Sequence, residues 1–189
     1  MTILIRQAFP EDATYIAPLI YNAIADIANR LTGEHNEADI LATLEYLVTQ
    51  RNNRHSYLNT YVAFRDEEIL GIVVLYDGLQ GKAFDKKLQD WLMRKNVAAI
   101  TIDVEAYDDE YYIDTVCVTE TARGLGIGTQ LLAFAEETAR AKGYKKLSLN
   151  VEPEKDKARR LYERIGFAVT EPWTIINEPF YHMVKQLEL

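Results

Sequence analysis

The spacing of apolar residues predicts one strand and two helices in the N-terminal part of the chain. Residues 2–8 are rich in β-branched and aliphatic side chains, and a Pro-Glu-Asp segment typical of a helix start follows them. Apolar residues then recur at helical spacing over residues 16–27 and again over residues 40–48. Pro18 predicts a kink or a restart in the first helix, and Gly33 predicts its end.

Two strand-like runs come next, over residues 57–64 and 68–76. The polar segment between them predicts an antiparallel hairpin. Asn59 lies in the first run, where alternation leaves two interpretations open: a polar group that points into a site, or a residue that faces solvent. Most strands of the sheet are therefore expected to follow the two helices.

Residues 77–110 are harder to interpret from their pattern. They contain a short amphipathic helical stripe and a strand-like run over residues 97–104. We interpret the segment as an insertion that covers one side of the sheet. A dimer contact and a substrate lid are alternatives that the pattern leaves open.

Strands and helices alternate in the C-terminal half. Residues 111–132 form a β-type run, a polar turn, a glycine-dense loop and the start of a helix. A strand is predicted over residues 145–151, and a helical stripe follows it. Two terminal strands are expected at residues 167–170 and 180–187, with Pro172 and Pro179 bounding their connection. This order predicts the α/β (α+β) class, with a mixed sheet flanked by helices in a single domain over residues 1–189.

The glycine-dense loop is the first candidate site. Gly124, Gly126 and Gly128 precede a predicted helix, whose first turn offers unpaired N–H groups and the positive end of a dipole. Glycine also lets another molecule approach the backbone closely. The G-x-G-x-G spacing differs from the G-x-G-x-x-G of dinucleotide-binding folds, and no Gly-Lys-Ser/Thr of a P-loop follows. We expect the loop to bind a pyrophosphate of another kind.

Composition narrows the function classes. The 189 residues are 48% hydrophobic, and the net charge of −8 argues against binding to nucleic acid or to an anionic membrane. No apolar run approaches the roughly 20 residues that span a bilayer, and no secretory leader pattern opens the chain, so we expect a cytoplasmic protein. Cys117 is the only cysteine, which excludes an internal disulfide, and its apolar strand makes it a poor nucleophile. No metal-ligand spacing occurs, and we expect no metal.

Charge is spread unevenly along the chain. Residues 103–114 hold six acids and no base, whereas residues 140–164 hold nine bases against four acids. One interpretation is two solvated surfaces, the usual meaning of charge runs. The other is an acidic side for a cationic substrate and a basic side for a phosphorylated cofactor.

Two motifs together resemble the GNAT superfamily of acetyl-CoA-dependent N-acetyltransferases. The loop beginning at Arg123 resembles the family's R/Q-x-x-G-x-G/A signature, and the later helix carries A-x-x-L-Y-x-x-x-G-F from Ala158 to Phe167. The resemblance covers residues 111–167. It implies a V-shaped sheet in which the strands before and after the glycine-loop helix splay apart, with acetyl-CoA in the gap.

The resemblance also implies the residues that bind acetyl-CoA. The backbone of the strand end pairs with the pantetheine arm, the loop amides bind the pyrophosphate, and Lys155 stands where the family often has asparagine. Asn150 is expected to supply a polar contact within the splay. The full expected set is Val116, Cys117, Val118, Arg123, Gly124, Leu125, Gly126, Ile127, Gly128, Thr129, Asn150, Lys155 and Tyr162.

Tyr162 aligns with the family tyrosine that protonates the departing thiolate, a role that suits a phenol because the donor is needed only as the C–S bond breaks. Asp114 is the first candidate for the base. Its apolar neighbours predict a raised pKa, although an acid in related enzymes commonly stands at the position of Tyr112. Alternatives for the base are Glu105, Glu110 and His182.

The sequence thus predicts an N-acetyltransferase that moves an acetyl group from acetyl-CoA to a primary amine by direct attack in a ternary complex. The acidic segment at residues 103–114 favours a cationic small molecule as the acceptor. A protein or peptide amine is the enzymatic alternative, and a CoA-binding module without turnover is the non-enzymatic one. A homodimer is compatible with this interpretation.

Overall fold

The computed structural model describes residues 2–95 and 101–188. Its sheet has seven strands: β1 (Leu4–Gln7), β2 (Thr60–Arg65), β3 (Glu68–Asp77), β4 (Tyr111–Val118), β5 (Lys146–Val151), β6 (Ala168–Ile175) and β7 (Glu178–Gln186). Five α-helices accompany them: α1 (Ala13–Thr32), α2 (Glu37–Thr49), α3 (Gly78–Arg94), α4 (Ile127–Ala141) and α5 (Asp156–Arg164). Two short 3-10 turns, Pro10–Asp12 and Glu120–Ala122, precede α1 and α4.

The sheet opens between its two parallel strands. The strand order is β1-β2-β3-β4-β5-β7-β6, and every neighbouring pair is antiparallel except β4 and β5. These two strands pair only from Tyr111 with Leu147 to Ile113 with Leu149. Beyond that point β4 continues to Val118 against β3 alone, which leaves one of its edges without a strand partner. The mixed sheet and its splay agree with the predicted fold class.

The first helix is interrupted near the splay and not at its proline. Pro18 lies inside α1 without ending it, whereas Ile24 has non-helical dihedrals of φ −115° and ψ 19°. Gly33 ends the helix in the left-handed conformation, as its position predicts. Buried apolar residues of α1 and α2 pack on one face of the sheet against Val62 and Ile72. The interruption therefore lies in the part of α1 that reaches the open end of the sheet.

The insertion is more helical than its pattern predicts. The expected short helix is the 17-residue α3, which Asp77 caps by accepting a hydrogen bond from the Gln80 amide at 2.8 Å. Phe84 of α3 packs against Tyr76 and Tyr112 on the sheet. The strand predicted over residues 97–104 is not observed at residues 101–104, and residues 97–100 lie outside the described part. The insertion covers the sheet as expected.

The last two strands extend further into their connection than predicted. Both prolines that were expected to bound this connection lie inside the strands. Pro172 is within β6, an edge strand whose outer side needs no ladder bonds. Pro179 is the second residue of β7, beside the turn. At the other end of the sheet, β2 begins at Thr60, so Asn59 lies before the strand and its side-chain amide donates to the Asn53 carbonyl at 2.9 Å. The prediction of Asn59 as part of a strand is wrong.

Among the described residues no helix is both long enough and apolar enough to cross a membrane.

Two larger sets of core residues lie on opposite faces of the sheet, one beneath α1 and α2 and the other beneath α4. Leu131, Leu132 and Ala135 of α4 are fully buried in the second set. The sheet is thus fixed from both sides up to the point where β4 and β5 separate.

Candidate active site

The splay between β4 and β5 forms a cavity of about 300 Å³. Its walls are the free edge of β4, the end of β5, the start of α5 and the interrupted turn of α1. Because β4 pairs with β3 on one side only, its alternate backbone N–H and C=O groups face the cavity. An extended ligand with amide groups can therefore pair with this edge as an additional strand would.

The residues predicted to bind the pantetheine arm lie on this edge. Val116, Cys117 and Val118 all line the cavity. The Cys117 side chain is half-buried, and burial raises the pKa of its thiol, which keeps it protonated. These residues are consequently suited to backbone contacts and not to covalent chemistry.

The glycine-dense loop stands at one end of the cavity, directly before α4. Gly124 and Gly126 have φ values of 81° and 78°, and a Cβ added at either position would meet no atom within 4 Å. These are left-handed conformations beside open space, so side chains here would strain the backbone and fill that space. The first turn of α4 adds N–H groups without intrahelical acceptors and a positive dipole end. The loop fits a pyrophosphate.

Not every predicted loop residue contributes a free amide. The Arg123 amide donates to the Glu120 carbonyl at 3.3 Å, and the Leu125 amide donates to the Ala122 carbonyl at 3.4 Å. The Arg123 amide is therefore engaged within the turn, its contact with the pyrophosphate stays a prediction, and its exposed side chain lines the cavity. Ile127 is 1% exposed and belongs to the core, so it offers only its backbone. Gly128 and Thr129 lie in the first turn of α4, where the predicted contacts stay available.

Asn150 and Lys155 both line the cavity, but their side chains differ in how far other residues already engage them. The Asn150 side chain donates to the Glu105 carbonyl at 2.8 Å and to the Tyr112 hydroxyl at 3.2 Å, and its Oδ1 contacts His182 Nδ1 at 2.8 Å. Since its amide is already engaged on both sides, Asn150 orients its neighbours more than it recruits a ligand. Lys155 pairs with Glu152 at 2.6 Å and remains partly exposed.

Tyr162 lines the cavity from α5. Its ring packs edge-on against Phe167, which places the tyrosine of the second motif in contact with the motif's last residue. Burial and the nearby Glu152 carboxylate raise the pKa of Tyr162 to about 12. Within residues 2–95 and 101–188 its hydroxyl has no hydrogen-bond partner. The group is therefore a protonated donor that is free to contact a ligand.

A second cavity of about 520 Å³ adjoins the first. The two share Asn22, Ala23, Ile24, Asp114, Asn150, Glu152 and Lys155. The larger cavity is lined by the carboxylates of Glu105, Asp114, Glu152, Glu154 and Glu178, against two cations, Arg54 and Lys155. Its wall is thus acidic, and its volume is within the range of small-molecule sites.

Asp114 lies where the two cavities meet, but its electrostatics differ from the prediction. The hydroxyls of Tyr76 and Thr115 both donate to its carboxylate, and Arg54 Nε is 3.5 Å away. Burial acts to raise the pKa of Asp114, yet Arg54, His55 and the two hydroxyls together hold it below its ordinary value. The expected raised pKa is wrong, because the sequence reveals apolar strand neighbours and not the guanidinium.

Arg54 is the residue that sequence reasoning missed. Its side chain is 4% exposed and contacts Asp85 at 3.1 Å and Glu105 at 2.6 Å in addition to Asp114. It comes from the loop before β2, whereas the acids come from α3, the insertion and β4. Nothing in the loop sequence marks this arginine as buried, since arginine is usually exposed. The cluster exists only through tertiary packing.

Two of the alternative bases lie away from both cavities. His182 is 0% exposed, with Nε2 at 3.1 Å from Glu110 Oε2 and Nδ1 at Asn150. The His182 pair and the Tyr107 amide lower the pKa of Glu110 below its ordinary value, against the effect of burial. Neither residue lines either cavity, so their role is to hold Asn150 in place.

The acidic run does not form one substrate face. Of the six acids in residues 103–114, all of which the structure describes, three have buried or nearly buried side chains: Glu105, Glu110 and Asp114. Asp108 pairs with Lys82, and Asp109 pairs with Lys146, both on the surface. The basic run is similarly mixed, since Lys155 is its one member that lines the splay. Charge runs thus predicted the sign of the second cavity but not which residues form it.

Comparison with known proteins identifies the family of this arrangement. A family model described as "Acetyltransferase (GNAT) family" matches residues 21–167, most of the chain. The chain belongs to the GNAT family of acetyltransferases. This confirms the family, the fold class and the enzyme class, an acyltransferase, that the two motifs predict.

Solved GNAT structures resemble the whole chain. A protein described as an acetyltransferase is 32% identical with a TM-score of 0.80, and the match covers 98% of this chain and 100% of that one. An N-acetyltransferase from Staphylococcus aureus Mu50 is 26% identical with a TM-score of 0.82, covering 96% and 99% of the two chains.

The uncharacterized N-acetyltransferase YycN of Bacillus subtilis (strain 168) is 34% identical over 90 residues, which is 48% of this chain.

The chain spans about a third to a half of the length of the curated relatives it matches, 31% and 54% for two of them. The PaiA N-acetyltransferase of Thermoplasma acidophilum, crystallised in complex with coenzyme A, shares the fold; it is 17% identical with a TM-score of 0.59, and the match covers 99% of this chain and 100% of that one. The family uses acetyl-CoA as the acetyl donor. Among the described residues, no group of His, Cys, Asp or Glu is placed to hold a metal ion.

Proposed function

We propose that the protein transfers the acetyl group of acetyl-CoA to a primary amine of a small cationic molecule, by direct attack in a ternary complex. The observation that carries this proposal is the meeting of two cavities where β4 and β5 separate. One cavity offers an unpaired strand edge and a glycine loop, and the other offers carboxylates. Two substrates bound side by side would meet at Asp114 and Asn150.

The smaller cavity and the glycine loop beside it suit the pantetheine arm and the pyrophosphate of acetyl-CoA. The amides of Gly124, Gly126, Gly128 and Thr129 would contact the pyrophosphate, helped by the dipole of α4. The backbone of Val116, Cys117 and Val118 would pair with the pantetheine arm. The exposed Arg123 and Lys155 side chains lie where further phosphate contacts form. When bound, acetyl-CoA supplies a thioester carbonyl that an amine can attack.

The chain itself supplies a donor and an acceptor for protons. Tyr162, whose pKa is raised to about 12, keeps its proton until a strong base such as a thiolate develops next to it. A backbone amide of the free β4 edge would polarise the carbonyl. Asp114, the residue predicted as the base, lines both cavities, but its lowered pKa makes it a weak proton acceptor and a good anchor for an ammonium group.

The acidic wall supports a cationic acceptor. Five carboxylates face two cations in the larger cavity, and its 520 Å³ accommodates a small molecule. A protein or peptide acceptor needs an open groove for its chain on both sides of the amine. Ile175, Pro179 and Phe180 of the β6–β7 hairpin line one side of this cavity and would limit the length of an acceptor bound there.

A thiol-release assay with a panel of amines tests the proposed activity. The panel contains 1,4-diaminobutane, spermidine, glucosamine and a short lysine peptide, and calorimetry measures acetyl-CoA binding separately. We expect micromolar acetyl-CoA binding and release of CoA with at least one small amine. Release with the peptide alone would favour a peptide acceptor, and tight acetyl-CoA binding without release on any amine would favour a CoA-binding module.

Initial-rate kinetics test the direct mechanism. Double-reciprocal plots at several amine concentrations should intersect, because both substrates must be bound before transfer. Parallel lines would indicate a covalent acetyl-enzyme and would contradict the proposal. Cys117→Ala serves as a control, since its protonated thiol predicts an unchanged pattern.

A further inference from the structure

Given the proposed transfer to an amine, on which this inference rests, we propose that Glu105 of the insertion is the residue that removes the proton from the acceptor ammonium. Asp114 then anchors the ammonium, and Arg54 and Tyr112 hold the Glu105 carboxylate in position. The assignment differs from the prediction made from the strand pattern, which favours Asp114. It rests on access, hydrogen bonding and charge.

Glu105 and Asp114 both line the larger cavity, and both side chains are largely buried, 9% and 4% exposed. Glu105 lines only that cavity, on the side of the acceptor, whereas Tyr162 lines only the smaller one. A base on the acceptor side and an acid on the thioester side are what a direct transfer requires.

The Glu105 carboxylate is held but not saturated. Arg54 Nη1 donates to Oε1 at 2.6 Å, and the Tyr112 hydroxyl donates to Oε2 at 2.7 Å. Each carboxylate oxygen can accept two hydrogen bonds, so each keeps one acceptor site. Asp114, in contrast, receives two hydroxyl donors and the Arg54 Nε contact on its two oxygens.

A chain of buried groups fixes this orientation. The Tyr112 hydroxyl is also contacted by Asn150, which is held on its other side by the His182–Glu110 pair. Asn150 additionally donates to the backbone carbonyl of Glu105 at 2.8 Å. The loop that carries Glu105 is therefore attached to the end of β5, directly at the splay.

The buried cluster lacks positive charge. Asp85, Glu105 and Asp114 surround one guanidinium, so three carboxylates share a single cation away from water. Unpaired buried charge is costly, and the cluster reduces that cost by binding a proton or an external cation. An ammonium group of the acceptor supplies both: its charge offsets part of the excess negative charge on arrival, and it then leaves a proton there.

Proton affinity separates the three carboxylates. Burial raises the pKa of Glu105 above its ordinary value despite Arg54, whereas Arg54 and the hydroxyl donors lower the pKa of Asp114. Burial also raises the pKa of Asp85 to about 7, but Asp85 does not line the cavity. Glu105 is thus the carboxylate that combines access to the ammonium with a raised proton affinity.

The transfer balances with Glu105 as the first acceptor. The ammonium gives one proton to a Glu105 oxygen, the freed lone pair forms the C–N bond to the acetyl carbonyl carbon, and the C–S bond breaks with its electron pair on sulfur. Tyr162 protonates that sulfur and recovers the second nitrogen proton through solvent. Glu105 releases its proton to water, which accounts for the one net proton of the reaction.

Other titratable groups face the cluster from every side. They are Arg54 and His55 before β2, Tyr76 of β3, Asp85 of α3, Tyr112 and Asp114 of β4, and Glu152, Glu154, Lys155 and Glu178 across the cavity. Burial lowers the pKa of His55 to about 4, so this imidazole stays neutral in the assay range. Tyr76 and Tyr112 have strongly raised pKa values through burial and remain protonated.

The test compares Glu105→Gln with Asp85→Asn in the full chain, using the panel amine that gives the fastest thiol release. Because a base acts when deprotonated, kcat of the wild type should rise with pH through the raised pKa of Glu105 and then level. Glu105→Gln should lower kcat about 100-fold and abolish that rise. Asp85→Asn removes a carboxylate from the same arginine without altering the cavity wall, so kcat should still rise with pH, with the rise displaced to lower pH because one negative charge near Glu105 is lost.

Rescue provides an independent readout. Glu105→Ala leaves room for a small acid, so formate should restore kcat of this variant in a saturable manner but should not affect Glu105→Gln. Acetyl-CoA binding measured by calorimetry should stay within about twofold of the wild type for all variants, because Glu105 lies outside the smaller cavity. Thermal unfolding shows whether each variant is folded.

Several outcomes would overturn the assignment. A folded Glu105→Gln with the rise retained would do so, as would an Asp114→Asn variant that alone abolishes the rise. The absence of formate rescue in a folded Glu105→Ala would also count against it. If the wild type itself released no thiol with any amine, the proposed function would fail, and that result is distinct from a turning-over wild type with an equally active Glu105→Gln.

Discussion

Asp114 and Glu105 contact the same guanidinium, yet their pKa values move in opposite directions. Burial raises the pKa of both carboxylates, but at Asp114 the charge of Arg54, together with His55 and two hydroxyl hydrogen bonds, outweighs the effect of burial, whereas at Glu105 burial prevails. The direction in which each shift makes stability depend on pH follows from the difference in proton binding between the folded and unfolded states. The stability that Asp114 contributes is present above its ordinary pKa and is lost as pH falls below that value. A carboxylate whose pKa is raised in the folded protein instead makes stability fall as pH rises.

Asp85 allows the reverse case to be measured. Its pKa rises from 3.8 to about 7 in the folded protein, so the native state holds more protons than the unfolded chain between these values. The contribution of Asp85 therefore makes stability fall as pH rises from about 4 to about 7. Asp85→Asn should remove that fall, so the melting temperature of the variant relative to the wild type should increase between pH 5 and pH 8. A constant difference across this range would contradict the raised pKa.

Tyr162→Phe tests the proposed acid. Removal of the hydroxyl should lower kcat about 100-fold while leaving acetyl-CoA affinity within about twofold, because the ring and its contact with Phe167 remain. Since the pKa of Tyr162 is raised to about 12, the wild type should show no alkaline loss of kcat from this group below about pH 11. Tyr181→Phe, a tyrosine of β7 that lines neither cavity, is the matched control. Equal effects of the two substitutions would argue against a donor role.

At the scale of single residues, the sequence predicts the residues whose role depends on local spacing. The glycines and Tyr162 are found because their motifs span a few positions of one loop or one helix. Arg54 and Asp85 are not found, because their contact joins side chains 31 positions apart and depends on how α3 packs. The direction of the Asp114 pKa shift fails for the same reason.

At the scale of elements, the splay and the loop before α4 define where a ligand lies. Gly126 is the N-cap of α4 and Gly143 follows its C-terminus, with φ values of 78° and 81°, and an added Cβ would meet no atom within 4 Å at either position. The two glycines thus impose the same backbone demand at opposite ends of one helix. Only Gly126 belongs to the loop that begins at Arg123, which lines the cavity proposed for acetyl-CoA.

This pair separates strain from binding. Gly126→Ala and Gly143→Ala should each destabilise the protein by about 1 kcal/mol, a fall of about 2–4 °C in melting temperature, because alanine disfavours the left-handed conformation. Gly126→Ala should also weaken acetyl-CoA binding at least tenfold in calorimetry, since its Cβ and the strained amide disturb the pyrophosphate contacts. Gly143→Ala should bind normally. Equal affinities for the two variants would remove the loop from the binding site.

Helices and strands with a clear period are predicted well, and their ends less so. The 17-residue α3 was expected to be short because its apolar residues cover only part of its length. The proline positions in β6 and β7 suggested boundaries, but an edge strand tolerates proline where no ladder bond is needed. The interruption of α1 at Ile24 has no signal in the sequence, since the proline lies elsewhere.

On the scale of the whole molecule, the insertion joins the sheet to the candidate acceptor site. Its helix packs on the sheet through Phe84 and supplies Asp85, and its later loop supplies Glu105. Residues 21–167 match the GNAT family, and the cavities lie among them and the β6–β7 hairpin. The conserved fold thus predicts where acetyl-CoA binds, whereas the acceptor cavity depends on segments whose arrangement only the structure reveals.

The central claim is that acetyl-CoA occupies the splay beside the acidic cavity, and a crystal structure of the protein with coenzyme A tests it most directly. We predict the pyrophosphate against the amides of Gly124, Gly126 and Gly128, the pantetheine paired with the Val116–Val118 edge, and the sulfur within hydrogen-bond distance of the Tyr162 hydroxyl. Coenzyme A bound in the larger cavity, or with its sulfur directed away from Asp114 and Tyr162, would contradict the account.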